Sequence, residues 1–162
     1  MAQEQTLKRD TEAGVLPRMA VWMIEDREDM SYVVRLMIEV SLPDVVVKEF
    51  RNGEAALATL HANAAPVPAI ITVDGDLGKN QKSGPQVIEE LGAELRARKM
   101  TVQFVAMSGV DELNEAMRVA AEKAGQPLEI LGKGPEANTK LLALIEEMQK
   151  KNEPLGPAEH RV

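Results

Sequence analysis

Five short apolar runs, separated by stretches with helical periodicity, set the limits on how this chain folds. They are MAVWMI (19–24), DVVVKEF (44–50), AIITV (69–73), TVQFVAM (101–107) and PLEIL (127–131). Runs of this length alternating with helices read as parallel strands buried beneath crossover helices. The fold class expected is α/β, a doubly wound five-stranded parallel sheet. Right-handed crossovers would place helices on both of its faces. In an open parallel sheet all strand C-terminal ends share one edge, and ligands bind in the crevice there. The residues that follow the strands therefore matter most: Glu25 and Asp26 after the first, Asp74 after the third, Ser108 after the fourth and Lys133 after the fifth. An acid pair, a lone carboxylate, a hydroxyl and an ammonium in one crevice point to metal-assisted phosphoryl chemistry.

The stretches between strands carry their own signals. Residues 1–18 are polar up to Pro17 and read as a tail or a short stray helix. Asp29 is placed to cap a helix whose stripe is Val33, Leu36, Met37 and Val40, ended by Pro43. Asn52-Gly53 turns the chain into a helix around Ala56, Leu57 and Leu60, and AAPVPA is a linker whose prolines do not suit a central strand. A long polar loop, DGDLGKNQKSGP, precedes a helix that buries Val87, Ile88, Leu91 and Leu95. Asp111 caps the next helix, which closes near Gly125, and the last helix carries Leu141, Leu142, Ile145 and Met148. The expected organisation is one domain over residues 19–150 between tails 1–18 and 151–162, with no output domain after it.

Composition narrows the function classes. At 162 residues and 44% hydrophobic, the chain can bury a sizeable core, but only Trp22, Tyr32, Phe50 and Phe104 are aromatic. The core is therefore aliphatic, and stacking on single-stranded nucleic acid is poorly supported. A net charge of −7 argues against a nucleic-acid surface, while clustered carboxylates suit a cation. The absence of Cys removes disulfides and thiolate chemistry, and His61 and His160 alone make a multi-histidine metal site untenable. No run approaches a membrane span and the N-terminus lacks a signal-peptide core, so a cytoplasmic location is expected.

Each crevice residue also has a plainer reading. Glu25-Asp26 is an ordinary solvated turn unless its strand is central, where two carboxylates can hold Mg²⁺. Asp74 starts a turn in a Gly-rich loop, or acts as a nucleophile forming an aspartyl phosphate. Asp76 competes for that role. The DGDLGKN string lacks the central Gly and bidentate Glu of an EF-hand, and GKNQKSG lacks the ending of a P-loop. Ser108 with Gly109 reads as a turn, and Lys133 as a surface residue, unless the strands aim them at phosphoryl oxygens.

In VWMIEDRED, Asp74-Gly75-Asp76-Leu77 with Gly84, Ser108-Gly109 and Lys133, the chain resembles the receiver domain of two-component response regulators, of the stand-alone type. The likeness runs from about Met19 to Met148 and implies a flavodoxin-like (βα)5 sheet with strand order 2-1-3-4-5. It implies phosphotransfer from a histidine kinase or histidine phosphotransfer protein to Asp74, with Leu77 in the family's Leu place favouring Asp74 over Asp76. It also implies Mg²⁺ held by Glu25, Asp26, Asp74 and the backbone carbonyl of Asp76, with Ser108 and Lys133 on the phosphoryl oxygens. Such a domain is a signalling module rather than an enzyme, assists its own phosphorylation and dephosphorylation, and switches a downstream protein partner without touching nucleic acid or membrane.

Two departures stand out. Gly134 follows Lys133 where the family has a cis proline, and Ile130 replaces the family's switch aromatic. They keep open a phosphorylation-independent pseudo-receiver adaptor, although all five crevice residues are present. A haloacid-dehalogenase-like phosphatase ranks lower, because its D-x-D opens the domain whereas here two strands precede Asp74. A flavodoxin-like FMN module is disfavoured because EDREDM would repel a phosphate.

Overall fold

The computed structural model describes residues 19–152, so the expected tail 1–18 and all but the first two residues of the tail 151–162 fall outside the described residues. The elements run β1 (Met19–Ile24), α1 (Glu28–Ser41), β2 (Val45–Phe50), α2 (Gly53–His61), β3 (Ile70–Val73), α3 (Gly84–Ala97), β4 (Gln103–Ala106), α4 (Asp111–Ala124), β5 (Leu128–Ile130) and α5 (Pro135–Asn152). The last helix thus extends past the expected boundary at 150. All strands are parallel in one sheet of order β2-β1-β3-β4-β5, the expected doubly wound topology.

Register aligns the strand ends. Ile24 pairs with Phe50 and with Val73, Val73 pairs with Ala106, and Ala106 pairs with Ile130. Residues that follow these positions leave the sheet at one level. β1, β3 and β4 are the inner strands, and β3 is buried along its whole length.

Side chains alternate between two cores, as the strand period requires. Trp22, Ile24, Ile71, Val73, Phe104 and Ala106 pack with residues of α2, α3 and α4, and Trp22 meets Phe50 edge-on at 5.0 Å. On the opposite face Val21, Met23, Ile70 and Val105 pack with Val34 and Ile38 of α1 and Leu141 and Ile145 of α5. Each fully buried aliphatic side chain contributes about 1.5–3 kcal/mol to such a core.

Several local expectations are corrected. Asp29 is not the cap of α1: Arg27 is, without a side-chain cap bond, and Asp29 lies within the first turn, paired to Arg27 at 2.9 Å. The stripe Val33, Leu36, Met37, Val40 is not the buried face, which is Ser31, Val34 and Ile38. Asp111 is the first residue of α4, after an N-cap at Val110. β5 is shorter than the apolar run and is an edge strand, with Glu129 and Ile130 exposed. No helix among the described residues is long and apolar enough to cross a membrane.

Candidate functional site

The sheet register places Glu25 beside Asp74. The Glu25 N–H still donates to the Phe50 carbonyl at 2.9 Å, and the Asp74 N–H to the Ile24 carbonyl at 3.1 Å, so both backbones are fixed by the neighbouring strands, β2 and β1. Each residue is only 8% exposed, an unusual setting for two carboxylates. Lys133 reaches them from the edge of the sheet. Its Nζ lies 3.0 Å from Asp74 Oδ2 and 3.3 Å from Glu25 Oε1.

Lys133 is aimed by glycine. The chain leaves β5 through Gly132 at φ 81° and Gly134 at φ 102°, both conformations that disfavour a side chain. Every described peptide bond is trans, so the Lys133-Gly134 step uses left-handed backbone in place of a cis proline. A second close approach underlies Asp74. A Cβ on Gly84 would sit 2.4 Å from the Asp74 carbonyl oxygen, so only glycine lets the start of α3 pass there.

Asp26 is exposed, yet it can offer an oxygen within 4.8 Å of those offered by Glu25 and Asp74. Asp76 is exposed too, and its carboxylate accepts from the Gly78 N–H at 3.0 Å, turned into the loop. Its N–H donates to Asp74 Oδ1 at 3.4 Å. Ser108 is buried but does not bond the carboxylates. Its Oγ accepts from the Val110 N–H at 3.1 Å, and its carbonyl accepts from Asn114 Nδ2 at 2.9 Å. The structure thus joins Glu25, Asp74 and Lys133 directly, adds Asp26 at the rim, and leaves Ser108 across Gly75, beside where a Cβ on that glycine would lie.

The charges do not balance. Burial, and then the neighbouring Asp74 carboxylate, push Glu25 up from 4.5 to about 8, despite the opposing pull of Lys133. Burial works against the Lys133 ammonium, but Asp74 and Glu25 outweigh it and raise its pKa. One ammonium among three carboxylates leaves excess negative charge, and oxygen donors of this kind fit a hard divalent cation. A cavity of about 40 Å³ adjoins the group, walled largely by Met23, Met30, Val34 and Met107. Such apolar walls strengthen every interaction among the charges.

Two contributors escaped the sequence reading. Arg51, just past β2, donates to the Glu25 carbonyl at 3.1 Å and to Ser31 Oγ at 2.7 Å, and Ser31 lines the cavity. The rule that singled out the other strand ends would also have marked Arg51.

No protein-family model matches the sequence, and no curated protein matches it. Solved structures do match the fold, and most are receiver domains of response regulators. The Mn²⁺-bound form of response regulator Rcp1 superposes with TM-score 0.60 at 20% identity, covering 86% of this chain and 99% of that one. The phosphorylated cyanobacterial phytochrome response regulator RcpA gives 0.62 at 19% identity, again over 86% and 99%. A response regulator from Colwellia psychrerythraea gives 0.59 at 18% identity, over 83% and 99%. The chain therefore has the fold of receiver domains.

Proposed function

We propose that this protein is a phosphoacceptor receiver of a two-component relay, taking a phosphoryl group from a phosphohistidine on a histidine kinase or phosphotransfer protein. The observation that carries this reading is the buried Asp74 carboxylate, held 3.0 Å from the Lys133 ammonium on a receiver-type sheet edge. An Asp74 oxygen attacks phosphorus as the P–N bond breaks, and the imidazole leaves with that electron pair and a proton from solvent. Lys133 stabilises charge on the phosphoryl oxygens. Glu25, Asp26, Asp74 and the backbone carbonyl of Asp76 would hold Mg²⁺, which when bound offsets the negative charge gathered there.

Ser108 takes a phosphoryl oxygen as its loop moves inward: its Oγ accepts from the Val110 N–H, which leaves the hydroxyl proton to donate. That movement is the two-state element that a covalent charge would bias, changing the surface offered to a downstream protein. Ile130 stands on the edge strand, 45% exposed, so the readout works without a rotating aromatic. On this reading residues 19–150 are the signalling module, not an enzyme, acting in the cytoplasm on protein partners. The donor's docking face is the outer side of α1, where Tyr32, Val33, Leu36 and Val40 are exposed next to the pocket wall formed by Ser31 and Val34.

The test is to treat the protein with acetyl phosphate and Mg²⁺ and locate the modification by mass spectrometry. One phosphoryl group on Asp74, absent from Asp74→Ala, is the expected result. An unlabelled wild type, or an equally labelled Asp74→Ala, would overturn the proposal.

A further inference from the structure

The turn that carries Glu25 and Asp26 lacks the usual lock at a helix start. Arg27 occupies the N-cap of α1 and makes no side-chain cap bond. The lock comes from the neighbouring strand instead. Arg51 Nη1 donates both to the Glu25 carbonyl and to Ser31 Oγ, at 3.1 and 2.7 Å. Ser31 is 1% exposed, and its hydroxyl donates onward to the Glu28 carbonyl at 3.2 Å. One guanidinium therefore pins the acidic turn on both sides of Asp26. It is itself aimed by Glu49, whose Oε1 accepts from Arg51 Nη2 at 3.4 Å while Oε2 lies 2.8 Å from Arg35 Nε.

We infer that Arg51 is a positioning residue that holds Glu25 and Asp26 in their cation-binding arrangement, an inference that rests on the metal reading of the pocket proposed above. Charge and position predict opposite signs. A cation beside a cation site repels the ligand, so loss of Arg51 on Coulombic grounds alone would tighten metal binding. That repulsion is weak here, because the Arg51 side chain is 40% exposed and shares its charge with Glu49. Two bonds that fix the ligand backbone are lost at the same time. Groups that orient metal ligands typically account for about 10–100-fold in metal affinity.

Calorimetric titration with Mg²⁺, and separately with Mn²⁺, tests this on wild type, Arg51→Met, Arg51→Lys and Ser31→Ala. Arg51→Met is expected to weaken binding about tenfold or more. Arg51→Lys regains only part, because an ammonium lacks the planar fork that serves two acceptors from one site. Ser31→Ala, which keeps the charge and loses one acceptor, falls between. Wild-type affinity or tighter binding in a folded Arg51→Met overturns the inference and leaves the metal reading intact. A wild type that binds neither ion overturns both. If Arg51→Met does not fold, Ser31→Ala decides: weakened binding supports positioning and unchanged binding overturns it.

Discussion

Helices α1 and α3 have the same length, 14 residues each, and opposite economies of apolar surface. α3 starts cleanly, with the Gln86 side chain accepting from the Ser83 N–H at 3.0 Å and Pro in its first turn. It buries Val87, Ile88, Leu91 and Leu95 in the core it shares with α2 and α4. α1 has no such cap and buries only Ser31, Val34 and Ile38, while Tyr32, Val33, Leu36 and Val40 face outward. α3 spends its apolar residues on the fold. α1 carries more than its side of the sheet covers, and the surplus lies next to the acidic pocket. One helix is a wall, and the other is a wall that leaves an apolar stripe exposed on its far side.

The largest expected effect tests the wall. Leu91 is 1% exposed, so Leu91→Ala should lower unfolding stability by about 2–5 kcal/mol, read by urea denaturation. Leu36→Ala on α1 should stay within about 0.5 kcal/mol. Equal losses from the two would show that both helices are structural and would dissolve the contrast.

Next in size is the pocket at the start of α1. Glu25 has a folded pKa of about 8 against an ordinary 4.5, so the folded state holds its proton more tightly than the unfolded chain. Its contribution is full below pH 4.5 and is lost as pH rises towards 8, on the order of 1–3 kcal/mol in metal-free protein. Lys133, raised from 10.5, titrates above that window and leaves the slope unchanged. Urea midpoints measured in chelator should therefore fall between these pH values, and Glu25→Gln should flatten the fall. Mg²⁺ should restore most stability at the alkaline end, where the carboxylate is ionised. A flat wild-type profile would mean that Glu25 is solvated and the pocket open.

The same two helices show what a single sequence can reveal. The α3 stripe was legible because its apolar residues occupy one face only. In α1, Val33, Leu36, Met37 and Val40 fit the helical period as well as Val34 and Ile38 do, and periodicity cannot choose between two stripes when only one fits against the sheet. The strand order was legible through the resemblance to receiver domains, and the meeting of Glu25, Asp74 and Lys133 because a parallel sheet brings its strand ends to one edge. Arg51 also follows a strand, so its place was legible, but its role was not, since it acts on a backbone carbonyl that no residue pattern encodes. The engagement of Ser108 with Val110 likewise depends on loop geometry rather than residue type.

The smallest expected change in stability belongs to the outer face of α1, and it separates the two roles most sharply. On the proposed reading a phosphohistidine reaches Asp74 beside the start of α1, where Ser31 and Val34 line the cavity. A protein donor docked on the outer side of α1 would then cover the exposed stripe, whereas acetyl phosphate enters without touching it. Val33→Gln with Leu36→Gln removes apolar surface, keeps good helix formers and adds no charge beside the carboxylates. Stability should change by no more than about 0.5 kcal/mol, and labelling by acetyl phosphate should match wild type. Transfer from a phosphorylated histidine protein should slow about tenfold, as expected when central apolar contacts of an interface are lost. Equal slowing with both donors would place the defect in the pocket, and no slowing with either would leave the outer face of α1 without a role in donor docking.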